Sequence, residues 1–598
     1  MSYQAIEDYS IIGDLHTVAL VGMNGSIDFM CFPRFDSPTI FAALLDDEKG
    51  GYFRIDPQLE HGQPKQLYLT DTNILLTRKY SKHGVSEILD FMTIEHEEKV
   101  HDLIRRVKTV RGQVDYRMVC APRFDYARVR HRIERVHDRE VLITSEGPDS
   151  LRLRLHATVP LQVQDHDIVA EFTLSADEYA AFVMEAVHDE HEPAPLNDEF
   201  LSSALNETMN YWREWMSISQ YQGRWRETVH RSALTLKLLT FEPTGAIIAA
   251  PTFGLPEEIG GSRNWDYRYT WIRDAAFTIY AFIRLGYTKE AQAFMKWIEA
   301  RCDDLNPDGS LQVMYGLDGR KDLTESQLSH FEGYQHSSPV RIGNGAFNQI
   351  QLDIYGALLD SVYLYNKYAE PISIDLWHNL ERLINWVCAN WQSPDHGIWE
   401  FRGQTHQFLF SRLMCWVAVD RGIRLAQKRS FPAPLDRWLA TRNDIFNEII
   451  SEFWDDSRQT FVQYKGSHTL DASILLMPLV KFVGPTDPRW LSTLRALEKD
   501  LVEDSLVYRY KEQEEIDGIA GSEGSFSMCS FWYVECLSRS GDLEKAQFFF
   551  EKIISYSNHT GLYAEELGPS TAHLGNFPQA LTHLALISAA YDLDRRLG

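Results

Sequence analysis

The chain has no CxxC pair, no HExxH and no run of eighteen apolar residues. Its seven cysteines (Cys31, Cys120, Cys302, Cys388, Cys415, Cys529 and Cys536) are scattered singly, mostly in apolar stretches, and read as buried free thiols in a reducing cytoplasm. The 21 histidines show no metal-ligand spacing. His188 and His191 are three apart but lie in an acidic stretch ahead of prolines, so no metal and no cofactor are expected. Without a long apolar run no transmembrane helix is expected. Met1 to Asp8 has neither a basic nor an apolar region, so no signal peptide is expected either. Positive charge is scarce: 59 Lys and Arg against 85 Asp and Glu leave a net charge of −26. Nucleic acid and anionic membranes are poor partners for such a surface. The expected partner is a small molecule and the expected location the cytoplasm; oligomeric state is left open.

At 598 residues the chain calls for at least two domains. Aromatic residues reach 12%, a level that suits stacking on sugars and also large helical cores. The first part reads as β. Thr17 to Met23, then Asn24-Gly25, then Ser26 to Phe32 predicts a hairpin with a type I′ turn. Short runs follow: 51–55, 73–80, 85–92, 103–110, 114–119, 141–144, 151–159, 168–174 and 179–184. Leu151-Arg152-Leu153-Arg154-Leu155-His156 alternates as a strand with one wet face should. Many short antiparallel strands over 1–195 predict a β-sandwich.

Near 195 the pattern changes. Glu192-Pro193-Ala194-Pro195 is a break, and Asp198 to Ser217 is a helical stretch inside a linker spanning 196–224. From 225 to 598 the period is helical, in twelve segments: 225–240, 274–285, 289–301, 346–368, 374–391, 408–428, 435–453, 470–482, 489–501, 523–540, 543–556 and 577–593. Twelve helices suit six antiparallel pairs closed into an (α/α)6 barrel. An open solenoid needs a fixed repeat, whereas the loops here run from two residues to more than forty. The longest, Cys302 to Gly345, and two carboxylate-bearing loops should meet at one end of the barrel.

Those two loops are Pro394-Asp395-His396-Gly397-Ile398-Trp399-Glu400 and Gly561-Leu562-Tyr563-Ala564-Glu565-Glu566. Each delivers a carboxylate beside aromatic rings, and two carboxylates flanking a sugar are the working groups of a glycoside hydrolase. Glu400, next to Trp399, is the candidate general acid. Glu565 is the candidate general base: neighbours on an extended loop point opposite ways, which leaves Glu566 a supporting or substrate-contacting role. A third segment, Ser262 to Asp274, packs Trp265, Tyr267, Trp271 and Arg273 ahead of a helix. Arg273 and Asp274 offer a donor fork and an acceptor pair for sugar hydroxyls, and Asp274 also fits a helix N-cap. Trp265, Tyr267 and Trp271 offer ring faces for a pyranose or, equally, core packing.

These segments resemble glycoside hydrolase family 15, the glucoamylase and trehalase-like group, over nearly the whole chain. The resemblance runs through Ile6-Glu7-Asp8-Tyr9 to Pro38, Asn264 to Asp274, Pro339-Val340-Arg341-Ile342-Gly343-Asn344, Gly397 to Glu400, Gly521 to Phe526, Ala564-Glu565-Glu566 and Gly575-Asn576-Phe577-Pro578-Gln579. It implies a β-sandwich joined by a linker to an (α/α)6 barrel, and inverting, exo-acting hydrolysis of α-glucosidic bonds. It further implies Glu400 as acid, Glu565 as base, Arg273 and Asp274 as the clamp on the terminal glucose, and Trp271 and Arg341 near the substrate. Two sites depart from the group's pattern, Ala357 after Tyr355-Gly356 and Leu567-Gly568-Pro569 after the base; they bear on the aglycone side and on substrate choice. The expected substrate is trehalose or a short α-gluco-oligosaccharide, and an inverting enzyme implies carboxyl groups about 6.5–9.5 Å apart. Two alternatives remain: an α-glucoside phosphorylase, which replaces the base by phosphate, and a catalytically silent carbohydrate-binding protein.

Overall fold

The computed structural model describes residues 3–94, 101–148, 150–187, 196–511, 517–519 and 521–598. His188, His191 and the break Glu192–Pro195 lie outside the described residues. The first part forms two eight-stranded antiparallel sheets. In the first, the order is Tyr9–Gly13, Val18–Gly22, Ser26–Cys31, Tyr52–Pro57, Gln113–Ala121, Asp167–Ser175 and Gln162–Gln164, with Thr39–Phe41 on Ser26–Cys31. In the second it is His131–His137, Glu140–Ser145, Arg152–Ala157, Tyr179–Ala186, Asp102–Arg111, Val85–Met92, Leu75–Tyr80 and Gln63–Tyr68. Alternate residues of facing strands, such as Ile55, Met118 and Ile168 against Val107, Leu155 and Phe182, fill one core between the sheets.

The hairpin at Asn24-Gly25 forms, but not as a type I′ turn. Strands end at Gly22 and restart at Ser26, only Gly25 has a positive φ (79°), and the pairing shifts register between Leu20 and Val21. Type I′ needs left-handed backbone at both central residues; here one glycine and a bulge close a three-residue loop instead.

The helix Asp198–Ser217 lies on the outer face of the second sheet through Leu201 and Ala204. Its last turn carries Trp215, which stacks on Tyr287 at 4.0 Å and donates to Glu290. Beyond it, inner helices Ala275–Leu285, Asp353–Tyr368, Leu409–Arg429, Ser527–Ser540 and Ala580–Leu597, with the short turns Ala472–Leu475 and Leu476–Leu479, contact one another around a closed ring. Helices Arg226–Leu238, Thr288–Asp303, Ile374–Asn390, Leu435–Glu452, Pro488–Leu501 and Leu543–Ile554 form the outer layer, giving an (α/α)6 barrel.

Three inner helices are shorter than their sequence periods predict. The expected helix over 346–368 starts at Asp353, that over 523–540 at Ser527, and that over 470–482 reduces to two turns around Pro478. Proline removes a donor and blocks continuation, and the first two trims release chain for loops at the inner helices' N-terminal mouth.

Candidate active site

The loops before the inner helices converge on that mouth. Arg273 and Asp274 directly precede Ala275–Leu285, Asn344 precedes Asp353–Tyr368, Glu400 precedes Leu409–Arg429, and Glu565 precedes Ala580–Leu597. Together they line one cavity of about 720 Å3, with Trp265, Tyr267, Trp271 and Trp399.

Glu400 and Glu565 are linked across this cavity by two aromatic side chains of one segment. Trp271 Nε1 donates to Glu400 Oε1 at 2.7 Å, and Tyr267 Oη donates to Glu565 Oε1 at 2.6 Å. The two rings meet edge to face with centroids 5.5 Å apart. Thr270–Trp271 is fixed by pairing with Met314–Tyr315 from the longest loop, so that loop braces the segment. Glu400 sits in left-handed backbone, φ 58°, just after Gly397 at φ 67°. A non-glycine residue held there stores strain that the surrounding contacts must maintain. They include Asp395, whose Oδ2 accepts from Leu352 N and Ser411 Oγ, and Trp399, whose Nε1 donates to Asp471.

Arg273 bridges Asp274 and Glu400. Its Nε donates to Asp274 Oδ1 at 3.0 Å, and its Nη1 donates to the Ile398 carbonyl at 2.8 Å and approaches Glu400 Oε1 at 3.4 Å. Asp274 occupies the helix N-cap by position, but its side chain makes no capping hydrogen bond, which leaves the carboxylate to Arg273 and the cavity.

Glu565 is buried and accepts a second hydrogen bond from Gln579 Nε2 at 3.1 Å. Burial, reinforced by the Glu257 carboxylate, pushes its pKa up to about 8, although Tyr267, Arg509 and Arg273 act in the opposite direction. Glu566 faces the other way, as alternation along Glu566–Leu567 requires, and accepts from Gly524 N at 2.7 Å. It does not line the cavity. Nor does Arg341, which lies against Trp265 at 4.8 Å from the ring centroid, with Arg402 against the same ring at 4.7 Å. Of the two departures from the group's pattern, Ala357 lies on the inner wall of the barrel outside this cavity, and Leu567 is buried in the strand after Glu566.

Glu257, Arg263, Arg402, Arg509 and Gln579, to which sequence reasoning assigned no role, also line the cavity. Glu257 accepts from Trp265 Nε1 at 2.9 Å. Behind it, carboxylate oxygens of Glu257, Glu523 and Glu566 lie within 4.8 Å of one another, and Arg509 pairs with Glu523 while Arg263 pairs with Asp517 at 2.7 Å. Two guanidiniums inside a carboxylate cluster supply the compensating charge from the protein itself. Gln579 closes the matched segment Gly575 to Gln579; that position was its one sequence signal.

Residues 223–591 match glycosyl hydrolases family 15, and residues 2–180 match the trehalase-like N-terminal family. The chain belongs to glycosyl hydrolase family 15. It is a glycoside hydrolase. It is 38% identical to the trehalase of Mycolicibacterium smegmatis over 99% of this chain and 92% of that one. It is 37% identical to the trehalase of Thermoplasma acidophilum over 96% of this chain and 98% of that one. A bacterial glucoamylase solved in complex with acarbose shares the fold: TM-score 0.75, 13% sequence identity, 99% of this chain and 94% of that chain covered. No helix among the described residues is long and apolar enough to cross a membrane.

Proposed function

We propose that this family 15 hydrolase cleaves trehalose by single displacement with inversion. Glu400 donates a proton to the bridging oxygen while Glu565 removes one from a water on the opposite face of the anomeric carbon. The C–O bond to the leaving glucose breaks as the bond to water forms, so each trehalose yields one β-glucose and one α-glucose. Arg273 and Asp274 hold the hydroxyls of the glucose being attacked, Trp265, Tyr267, Trp271 and Trp399 wall it in, and a clamp of that kind makes the enzyme exo-acting. The observation that carries this reading is the pair of carboxylates on one cavity, held through Trp271 and Tyr267 at 2.7 and 2.6 Å. Trehalose is favoured over longer α-glucans because the cited trehalases align along almost their entire length. The cytoplasm fits seven cysteines that are all unpaired thiols.

The test is a panel of α-linked glucose disaccharides in phosphate-free buffer, read by NMR. Trehalose should be the best substrate and should release β- and α-glucose in equal first amounts. Two α-glucoses would overturn inversion, and a strict need for phosphate with glucose 1-phosphate as product would favour the phosphorylase. Glu400→Gln should lose turnover while its melting temperature stays within a few degrees of the parent; retained turnover would remove Glu400 from the acid's role.

A further inference from the structure

The helical ring has a second opening, at the C-terminal ends of the inner helices, opposite the catalytic mouth. A cavity of about 1450 Å3 runs into the ring from there. Its inner end reaches Arg273, Ile398 and Leu581, which also line the catalytic pocket, so the two cavities share a wall. Next to that wall, apart from the buried Asp353 carboxyl, the sides are apolar: Phe277, Met414, Leu476 and Trp532, with Phe277 stacked on Trp532 at 5.8 Å. The rim is cationic, with Arg284, Lys367, Arg424, Lys481, Arg539 and Arg595. In a chain of net charge −26 this is a local reversal of sign.

Part of that charge is balanced. Arg424 pairs with Asp420 at 2.6 Å, Arg539 with Glu535 at 2.5 Å, and Arg595 with Asp592 at 3.1 Å. Arg284, Lys367 and Lys481 have no carboxylate partner among the described residues; Arg284 lies over Tyr280 and Tyr591, and Lys367 over Tyr368. Partial burial of its stem, and then the facing cations Lys367, Arg421 and Arg539, depress the Lys481 ammonium below the usual lysine range. Helix C-termini favour nearby cations. That preference explains a basic residue at each helix end. It does not explain three unpaired ones gathered at the mouth of an apolar, aromatic chamber.

We propose that this cavity binds an organic anion, its apolar or aromatic body between Phe277, Met414, Leu476 and Trp532 and its acid group on Arg284, Lys367 and Lys481. A hydrated inorganic ion would leave the apolar walls uncovered, and a neutral apolar molecule would leave the three cations uncompensated.

The probe is 8-anilinonaphthalene-1-sulfonate, an aromatic sulfonate, titrated into the full-length enzyme by its fluorescence. Saturable binding at one site per chain is expected, displaced by adenosine monophosphate and not by the same concentration of inorganic phosphate or trehalose. The double variant Lys367→Gln/Lys481→Gln should bind at least about tenfold more weakly, roughly three- to tenfold for each lost charge. Both lysines are exposed and outside the catalytic pocket, so its hydrolytic rate and melting temperature should match the parent. Absence of saturable binding, or unchanged affinity in the double variant, would mean that the cations only neutralise helix ends. Displacement by inorganic phosphate as effectively as by the nucleotide would overturn the organic class of ligand, and displacement by trehalose would put the probe in the catalytic pocket. None of these outcomes touches the hydrolytic assignment, which stands on separate assays.

Discussion

As the proposed base, Glu565 would have to be ionised to activate water, yet its surroundings favour the protonated form. Burial and Glu257 push it up to about 8 against the donors Tyr267 and Gln579. A base with a raised pKa is lost as pH falls through that value, so the acid limb of kcat/KM should lie well above the ordinary carboxylate range. Glu257→Gln keeps an acceptor for Trp265 Nε1 but removes the like charge. Glu565 then loses its proton more readily, and the acid limb should move down by about half a unit to one unit. A pH–rate profile of the variant with an unmoved limb would show that Glu257 does not tune the base. Trp271→Phe deletes the one indole donor to Glu400 and should lower kcat by roughly ten- to a hundredfold, as loss of a hydrogen bond to a carboxyl does, with a smaller change in KM. The carboxylates at 400 and 565 were legible because glycine and aromatic residues surround them. Glu257 was not: Pro256-Glu257-Glu258 reads as a solvated acidic run, and only the closed barrel shows that it is buried beside Glu565.

At the scale of elements, helices were legible wherever one face packs and the other is wet. Asp198–Ser217 runs between the residues its period predicts, and Gly286 and Gly541, both left-handed, end helices where the pattern stops. The strands Gln63–Tyr68, His131–His137 and Gln162–Gln164 escaped the sequence because they are sheet edges, mostly exposed and without apolar alternation. The helix starts at 346 and 523 were misjudged for a different reason. The segments from those points, 346–352 and 523–526, scatter a few apolar residues (Ala346, Phe347, Ile350, Leu352 and Phe526) among polar ones, and stretches that short do not distinguish a loop from a first helical turn. The loop from Gly561 to Gln579 shows how tightly such a segment is set. Gly575 has φ 72°, and a Cβ there would come within 2.8 Å of Glu565 Oε2. Gly575→Ala should displace the carboxylate and lower kcat at least about tenfold, while left-handed strain costs roughly 1–2 kcal/mol of stability. Normal kcat with a shifted melting temperature would separate the backbone effect from the carboxylate's position and reject the steric argument.

The whole molecule is joined more closely than a sandwich and a barrel on a linker need be. The first sheet's outer face, through Ile11, Leu20 and Phe29, enters the same core as the barrel helices. Arg268, fully buried and paired with Asp266 at 2.7 Å, donates to the Ser37 carbonyl and to Tyr126 Oη, tying the sheets to the strand that carries Trp265. Nothing local in the sequence marks that contact, because a buried arginine reads like an exposed one. Buried titratable groups give the assembled molecule its own pH response. The histidines 131, 156, 230, 559, 573 and 583 are held below the ordinary 6.5, so the unfolded chain takes up more protons and stability falls as pH drops below that value. Glu257 and Asp353 are raised to about 7, and Glu565 to about 8. A raised carboxyl contributes stability that is complete at low pH and lost as pH rises through its folded value. Between pH 5 and 6.5 the two sets oppose each other. From 6.5 to 8.5 the unfolded histidines lose their remaining protons and the carboxyls come to act alone, at about 1.4 kcal/mol per pH unit for each group that still holds its proton. The melting temperature should therefore change little from pH 5 to 6.5 and fall from 6.5 to 8.5. Asp353→Asn tests the cause, since both carboxyl oxygens of Asp353 are buried without a hydrogen-bond partner. The variant should flatten the alkaline fall; an equally steep fall in the variant would assign it to other groups, and a rise from 6.5 to 8.5 in the parent would contradict the buried carboxyls altogether.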